Sequence, residues 1–234
     1  IFSKLNIEKI NFKEKVCCSV RLYNVIEDST FSANYYHPER MAAIHALKTC
    51  RYPILKLIEI VDFCRDEISM EKCNLRYLGL AGVESHTGEL NNSIEETRGK
   101  AFIYQKDDVL YGRLRPYLNK VLFAEEGGVC STEFHVLRVK DNSKIIPEYL
   151  ACIMRSELVL AQTRHMMTGN THPRISNDDV KNLYIPTPSI SIQCEIVEEL
   201  RERRVQARNL KYEAEKEWHE AKLLFEKKFL LFKY

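Results

Sequence analysis

Apolar and polar positions change rhythm several times along the chain, and each change predicts an element. From 15 to 26, KVCCSVRLYNVI alternates loosely with a period near two, which predicts a strand or hairpin arm. From 38 to 49 the spacing turns helical. Pro38 suits a first turn, and Met41, Ile44, His45 and Leu47 follow three and four apart. The run ILKLIEIVDFC (54–64) is almost continuously apolar and predicts a strand or short helix leading into a globular domain. Strands are expected at 76–80, 101–104, 109–110, 120–123 and 130–139. They are separated by turns at Gly79, Gly82, Asn91-Asn92, Gly99, Asp107-Asp108 and Gly127-Gly128. Between them, 83–100 is long, polar and poor in core residues, a pattern that usually marks a functional loop. One amphipathic helix is expected over 147–163. Pro147 and Glu148 sit in its first turn, and Leu150, Ile153, Met154, Leu158 and Ala161 line one face. Ser176 is placed to cap a short helix over 177–182, 183–185 reads as a last strand, and Pro186 and Pro188 close the domain.

The third rhythm fills 189–231, which contains no Gly and no Pro. Its apolar stripe runs through Ile196, Leu200, Ala207, Leu210, Ala214, Trp218, Ala221, Phe225 and Phe229, with Arg203 interrupting it. The mean step of about 3.67 residues approaches an eleven-residue repeat and predicts a nearly straight helix. At 1.5 Å per residue it would be roughly 64 Å long, too long to bury its stripe on its own domain, so a partner helix is expected. These patterns predict a globular domain of short strands and helices, followed by one long C-terminal helix. Boundaries fall at 1–37 for a lead-in segment, 38–188 for the globular domain and 189–234 for the helix.

Composition narrows the function classes. The 234 residues are 45% hydrophobic and 29% charged, as expected for a chain with a real core, and the formal net charge is +2. No apolar run approaches the roughly 18 residues of a membrane span. The first residue is not Met, and the natural start is expected further upstream. The eight cysteines form no C-x-x-C pair, and reduced thiols are expected. Phosphate loops, zincin and nucleophile-elbow motifs are all missing, as is an adenine-methylation motif. The seven histidines show no metal-ligand spacing, and His135 reads as a sheet residue. Asp107-Asp108 and Asp178-Asp179 read as turn and helix caps. No enzymatic activity, metal or cofactor is expected in this chain. What stands out instead is two windows without a single carboxylate. The first, 109–124, holds Arg113, Arg115, Tyr117, Asn119 and Lys120. The second, 158–177, holds Arg164, His165, Thr168, Asn170, Thr171, His172 and Arg174. Such cations neutralise phosphates, and the interleaved Asn, Thr and Tyr side chains add positioning hydrogen bonds, so a nucleic-acid surface is expected.

Three stretches carry a family resemblance: YGRLRPYLNK (111–120) followed by CSTEFHV (130–136), GNTHPRIS (169–176) leading through LYIPTP (183–188) to Gln193 and Ile196, and STFSANYYHP (29–38). In this order they resemble the DNA specificity subunit of type I restriction–modification enzymes. The resemblance implies an α+β fold class, a target recognition domain built on a twisted mixed sheet with flanking helices, followed by one long C-terminal spacer helix: one half of a subunit that carries two of each. It implies cytoplasmic, sequence-specific binding of double-stranded DNA. It also implies docking to adenine methyltransferase subunits, which would use S-adenosylmethionine, and to restriction subunits. The two helices would pair antiparallel, here with a second specificity half or a second copy, through Ile196, Leu200, Ala207, Leu210, Ala214, Trp218, Ala221 and Phe225. Arg113, Arg115, Tyr117, Asn119, Lys120, Thr171, His172 and Arg174 would grip the DNA backbone or brace the fold, with Arg174 equally readable as a structural ion pair. Base readout would fall to 83–100, through Glu84, Ser85, His86, Thr87, Asn91, Asn92 and Arg98. Two other readings stand beside this one: the specificity region of a fused restriction–methyltransferase enzyme, and an interaction adaptor that uses only the helix.

Overall fold

The computed structural model describes residues 4–5, 19–27, 30–72, 75–91, 93, 95, 99–169 and 171–231. They form two compact units, Ile1–Cys194 and Glu195–Tyr234. Among the described residues, no helix is long and apolar enough to cross a membrane.

In the first unit, α1 (Leu22–Glu27) replaces the expected strand; the described part of that stretch pairs Leu22 with Ile26 four residues on, a helical spacing. Residues 15–18 of that expectation lie outside the described residues. α2 (Pro38–Lys48) begins as foreseen. Pro38 takes the first turn, and His37 caps it by accepting from Glu39 N at 3.3 Å. Its buried face is Arg40, Ala43, Ile44 and Leu47, so His45 points outward. The apolar run 54–64 is strand, helix and strand in turn: β1 (Ile54–Lys56), α3 (Leu57–Ile60) and β2 (Val61–Cys64).

Seven short strands follow: β3 (Glu67–Ser69), which the sequence pattern missed, β4 (Tyr77–Leu78), β5 (Lys100–Tyr104), β6 (Val109–Gly112), β7 (Val121–Phe123), β8 (Gly128–Ser131) and β9 (Phe134–Val139). The expected single strand over 130–139 is two strands, broken where Ser131 Oγ accepts from Glu133 N at 3.2 Å. The break sends β8 and β9 into different sheets. One sheet runs β2-β9-β6-β7 and is wholly antiparallel. The other runs β3-β5-β8-β4 and contains one parallel pair, β4 with β8. Leu110, Leu122, Phe134 and Val136 of the first sheet meet Cys130 of the second in one buried cluster, with Val83 joining from the loop after β4. At the β5–β6 turn, Asp108 is 1% exposed and holds both Gln105 N (2.7 Å) and the Arg138 guanidinium (two bonds of 2.8 Å).

The expected helix over 147–163 is two helices, α4 (Pro147–Met154) and α5 (Glu157–Thr163). Ser156 takes an extended conformation and donates its hydroxyl to Ile153 O at 2.6 Å, which ends one helix and starts the next. Every side chain from Tyr149 to Met154 and from Leu158 to Thr163 is buried, so this is an interior element and not a surface amphipath. β10 (Met167–Thr168) and β11 (Arg174–Ile175) form a small hairpin. α6 (Asn177–Lys181) is capped by Ser176 Oγ, which accepts from Asp179 N at 3.1 Å. β12 (Tyr184–Pro186) returns to pair with β1.

α7 (Ile190–Leu231) is a single helix of 42 residues. Its first turn belongs to the first unit, where the Gln193 side chain accepts from Ile146 N and donates to Lys144 O and Pro188 O. In the second unit Ile196 is only 2% exposed and Leu200 is half-buried, so the stripe available for pairing begins later than expected. Ala207, Leu210, Ala214, Trp218, Ala221 and Phe225 are all exposed, Trp218 to 75%.

Candidate nucleic-acid interface

The first carboxylate-free window is held by backbone bonds on both sides. Arg113 N donates to Glu133 O at 2.9 Å, Ile175 N donates to Arg113 O at 3.0 Å, and Arg115 N donates to Pro173 O at 2.8 Å. Arg115 and Asn119, both with φ near 49°, flank a single tight turn at Pro116–Leu118. Asn tolerates that left-handed conformation because its short amide finds local partners. Here Asn119 Nδ2 donates to Arg155 O at 2.8 Å and the side chain is buried. Lys120 also turns inward: Nζ donates to Leu80 O at 2.7 Å, and burial pushes its pKa down. Asn119 and Lys120 therefore spend their side chains inside the fold. Arg115 and Tyr117 remain exposed.

The second window divides in the same way. Arg174 closes a fork on Glu133, with bonds of 2.6, 2.9 and 3.0 Å. That hydrogen bonding, more than the charges of Arg174, Arg113 and His172, holds the Glu133 carboxyl below its usual range against the opposing effect of burial. Arg174 is thus an ion-pair residue. Arg164 is shared between Glu39 (3.1 Å) and Glu157 (2.6 Å). Thr171 and His172, at the tip of the β10–β11 hairpin, are exposed; Asn170 lies outside the described residues.

The loop proposed for readout is tightly folded. Glu84 N donates to Glu89 O, Gly88 N donates to Glu84 O, and Thr87 Oγ1 donates to Glu84 Oε2 at 2.8 Å. Asn91 is tied to Ala81 O and Gly82 O. His86 N donates to Asn119 O at 3.1 Å, which docks the loop beside the Pro116–Leu118 turn. Glu84, His86, Thr87 and Asn91 are exposed and Ser85 is half-buried. Asn92 and Arg98 lie outside the described residues. The loop is also less core-poor than its polarity implied, since Val83 is fully buried.

One cluster has a metal-like composition that sequence spacing could not reveal. His37, Glu39 and His165 bring ligand atoms within 4.8 Å of one another. The geometry is that of a latch and not of a metal centre. The two imidazoles stack face to face, with centroids 3.4 Å apart, so their lone pairs run side by side instead of converging. His165 Nε2 bonds Glu39 Oε2 at 2.7 Å, Arg164 shares that carboxylate oxygen, and His37 Nδ1 is the helix cap. Burial, then the charges of His165 and Arg164, keep the His37 pKa low, which suits a neutral stacked ring.

An α+β domain with two four-stranded sheets, a basic turn and a long helix defines a class that sequence relatives identify. The profile of the family described as "Type I restriction modification DNA specificity domain" matches residues 82–202, half of the chain, and the chain belongs to that family. It is 29% identical over 121 residues to the type I restriction enzyme EcoDI specificity subunit of Escherichia coli, covering 45% of this chain and 26% of that subunit. Among solved structures, the HsdS subunit from Thermoanaerobacter tengcongensis is similar at 26% identity with a TM-score of 0.57. A structure concerned with complex assembly of the type I R-M system is similar at 28% identity with the same TM-score. Each covers 71% of this chain and 46% of its own. The chain therefore spans about a quarter of the curated relative and under half of the solved ones.

Proposed function

We propose that this chain is the DNA-reading half of a type I specificity subunit: one target recognition domain, 38–188, and one spacer helix. The observation that carries the reading is the bond from His86 N to Asn119 O, because it couples an exposed polar loop to an exposed basic turn. Arg113, Arg115, Tyr117, Thr171 and His172 would hold the duplex by its phosphates and sugars. Glu84, Ser85, His86, Thr87 and Asn91 would meet base edges in the groove. Asn119, Lys120 and Arg174 would brace these groups. The chain itself is non-catalytic on this reading and directs adenine methyltransferase subunits, with their S-adenosylmethionine, and restriction subunits to a site.

A gel-shift experiment with pooled genomic fragments at low salt is expected to retain a subset of sequences. Arg115→Ala should weaken all complexes alike and lower the salt slope by about 1, whereas Lys120→Ala should lower thermal stability and leave the slope unchanged. Failure to retain any fragment would reject the reading and favour an adaptor that uses the helix alone.

The exposed stripe of α7 supports pairing with a second helix. Sedimentation of the full chain is expected to give a dimer, and Leu210→Glu with Trp218→Glu a monomer. A monomer before substitution would reject self-pairing.

A further inference from the structure

The ladder around β9 brings an arginine to the basic end of the sheet that neither carboxylate-free window contains. β2 ends with Cys64 opposite Val136, so the next residue, Arg65, leaves the strand beside His135. On the other side of β9, Tyr111 pairs with His135, and Arg113 is bonded through its backbone to Glu133. β2 and β6 both run antiparallel to β9, so Arg65 and Arg113 emerge at the same end of the sheet with β9 between them. Strands lie about 4.8 Å apart, which sets the two backbones roughly 10 Å from each other, a span that two arginine side chains can close on a phosphate.

The ring between them reports their charge. His135 is 5% exposed, with Phe63 edge-on at 5.9 Å and Tyr111 stacked at 6.2 Å, and its Nε2 has no hydrogen-bond partner. Burial first, then the charges of Arg113 and Arg65, press its pKa down to about 3. The ring is therefore neutral and does not compete for an anion. Of the carboxylates at this end, Glu133 is taken by Arg174. Neither Arg65 nor Arg113 forms an ion pair among the described residues. Arg138, five residues on from Glu133 along β9, is by contrast held by buried Asp108.

We propose that Arg65 and Arg113 form a clamp for the phosphate backbone of duplex DNA, with Arg65 a backbone contact additional to the two windows. The clamp rests on the nucleic-acid reading above. It is tested by measuring the affinity of the full chain for a random-sequence duplex pool across a salt series, with Arg65→Gln, Arg65→Lys and Lys106→Gln. Lys106 is exposed on the turn at the opposite end of β6 and serves as the charge control. Arg65→Gln should weaken every sequence alike and reduce the slope of log affinity against log salt by about 0.9. Arg65→Lys should restore most of that slope, and Lys106→Gln should match wild type. Because Arg65 is exposed, the melting temperature of Arg65→Gln should equal that of wild type. Binding by wild type with an unchanged slope in Arg65→Gln overturns the clamp and leaves the broader reading standing. Equal losses in Arg65→Gln and Lys106→Gln would likewise overturn it, as a general charge effect. No binding by wild type overturns both.

Discussion

Asp108→Ala is expected to destabilise the domain by about 3 kcal/mol or more, without touching any residue of the proposed interface. Asp108 is almost wholly buried, and its carboxylate does two things at once. It accepts from Gln105 N at 2.7 Å, which closes the β5–β6 turn, and it takes two bonds of 2.8 Å from Arg138 on β9. Alanine would leave a backbone N–H without its acceptor and a half-buried guanidinium without its counter-charge. Each loss costs the desolvation of the group left behind, not merely the net value of a bond. The Arg138 side chain retains 33% exposure, so water offsets part of the second loss and the lower end of the usual range applies. Asp108→Asn keeps an acceptor for Gln105 N and should cost less. Denaturant unfolding measures both, and a shift in midpoint with an unchanged m-value is the expected form. An Asp108→Ala midpoint equivalent to a loss under about 1 kcal/mol would mean that the pair contributes little beyond what solvated groups would.

The elements legible in the sequence are those fixed by their own residues. Pro38 and Ser176 set helix starts, and the Gly- and Pro-free run set α7. What was not legible depends on partners far away in sequence. One apolar strand over 130–139 became two because β8 and β9 find different neighbours, and a single helix over 147–163 became two because Ser156 turns extended between the buried halves and bonds back to Ile153 O. The interface was half legible for the same reason. A window without carboxylates in sequence is not without them in space: Arg174 meets Glu133 and Arg164 meets Glu39, from outside the second window. Lys120 is likewise spent, on a backbone carbonyl. Arg65 lies in neither carboxylate-free window, since Asp66 and Glu67 follow it, and only strand register sets it beside His135. His37 and His165 meet only through the packing of α2 on α5, and no local spacing could have joined them.

Gly88→Ala is expected to reach function through the loop. Gly88 has φ of +68°, a region that costs a residue with a Cβ of order 1 kcal/mol or more. A Cβ there would also overlap the Val121 carbonyl oxygen on β7 and crowd Arg155 Nη1 at 2.6 Å. The carbonyl belongs to a strand paired with β6 and cannot withdraw cheaply, so the loop must lift. A combined cost of about 2–4 kcal/mol follows from backbone strain and overpacking together. Lifting would break the bond from His86 N to Asn119 O and move Glu84–Thr87 away from the basic turn, while Arg113 and Arg115 stay anchored through Glu133, Ile175 and Pro173. On the proposed reading, low-salt binding to random duplex should therefore survive with its salt slope intact, and preference among genomic fragments should collapse. The comparison needs both assays on one preparation that still melts cooperatively. Retained selectivity in a destabilised Gly88→Ala protein would move base reading away from 84–91 and onto the turn or the hairpin tip. Loss of both selectivity and random binding would show that loop and turn act as one surface, with the phosphate contacts depending on the loop for their position.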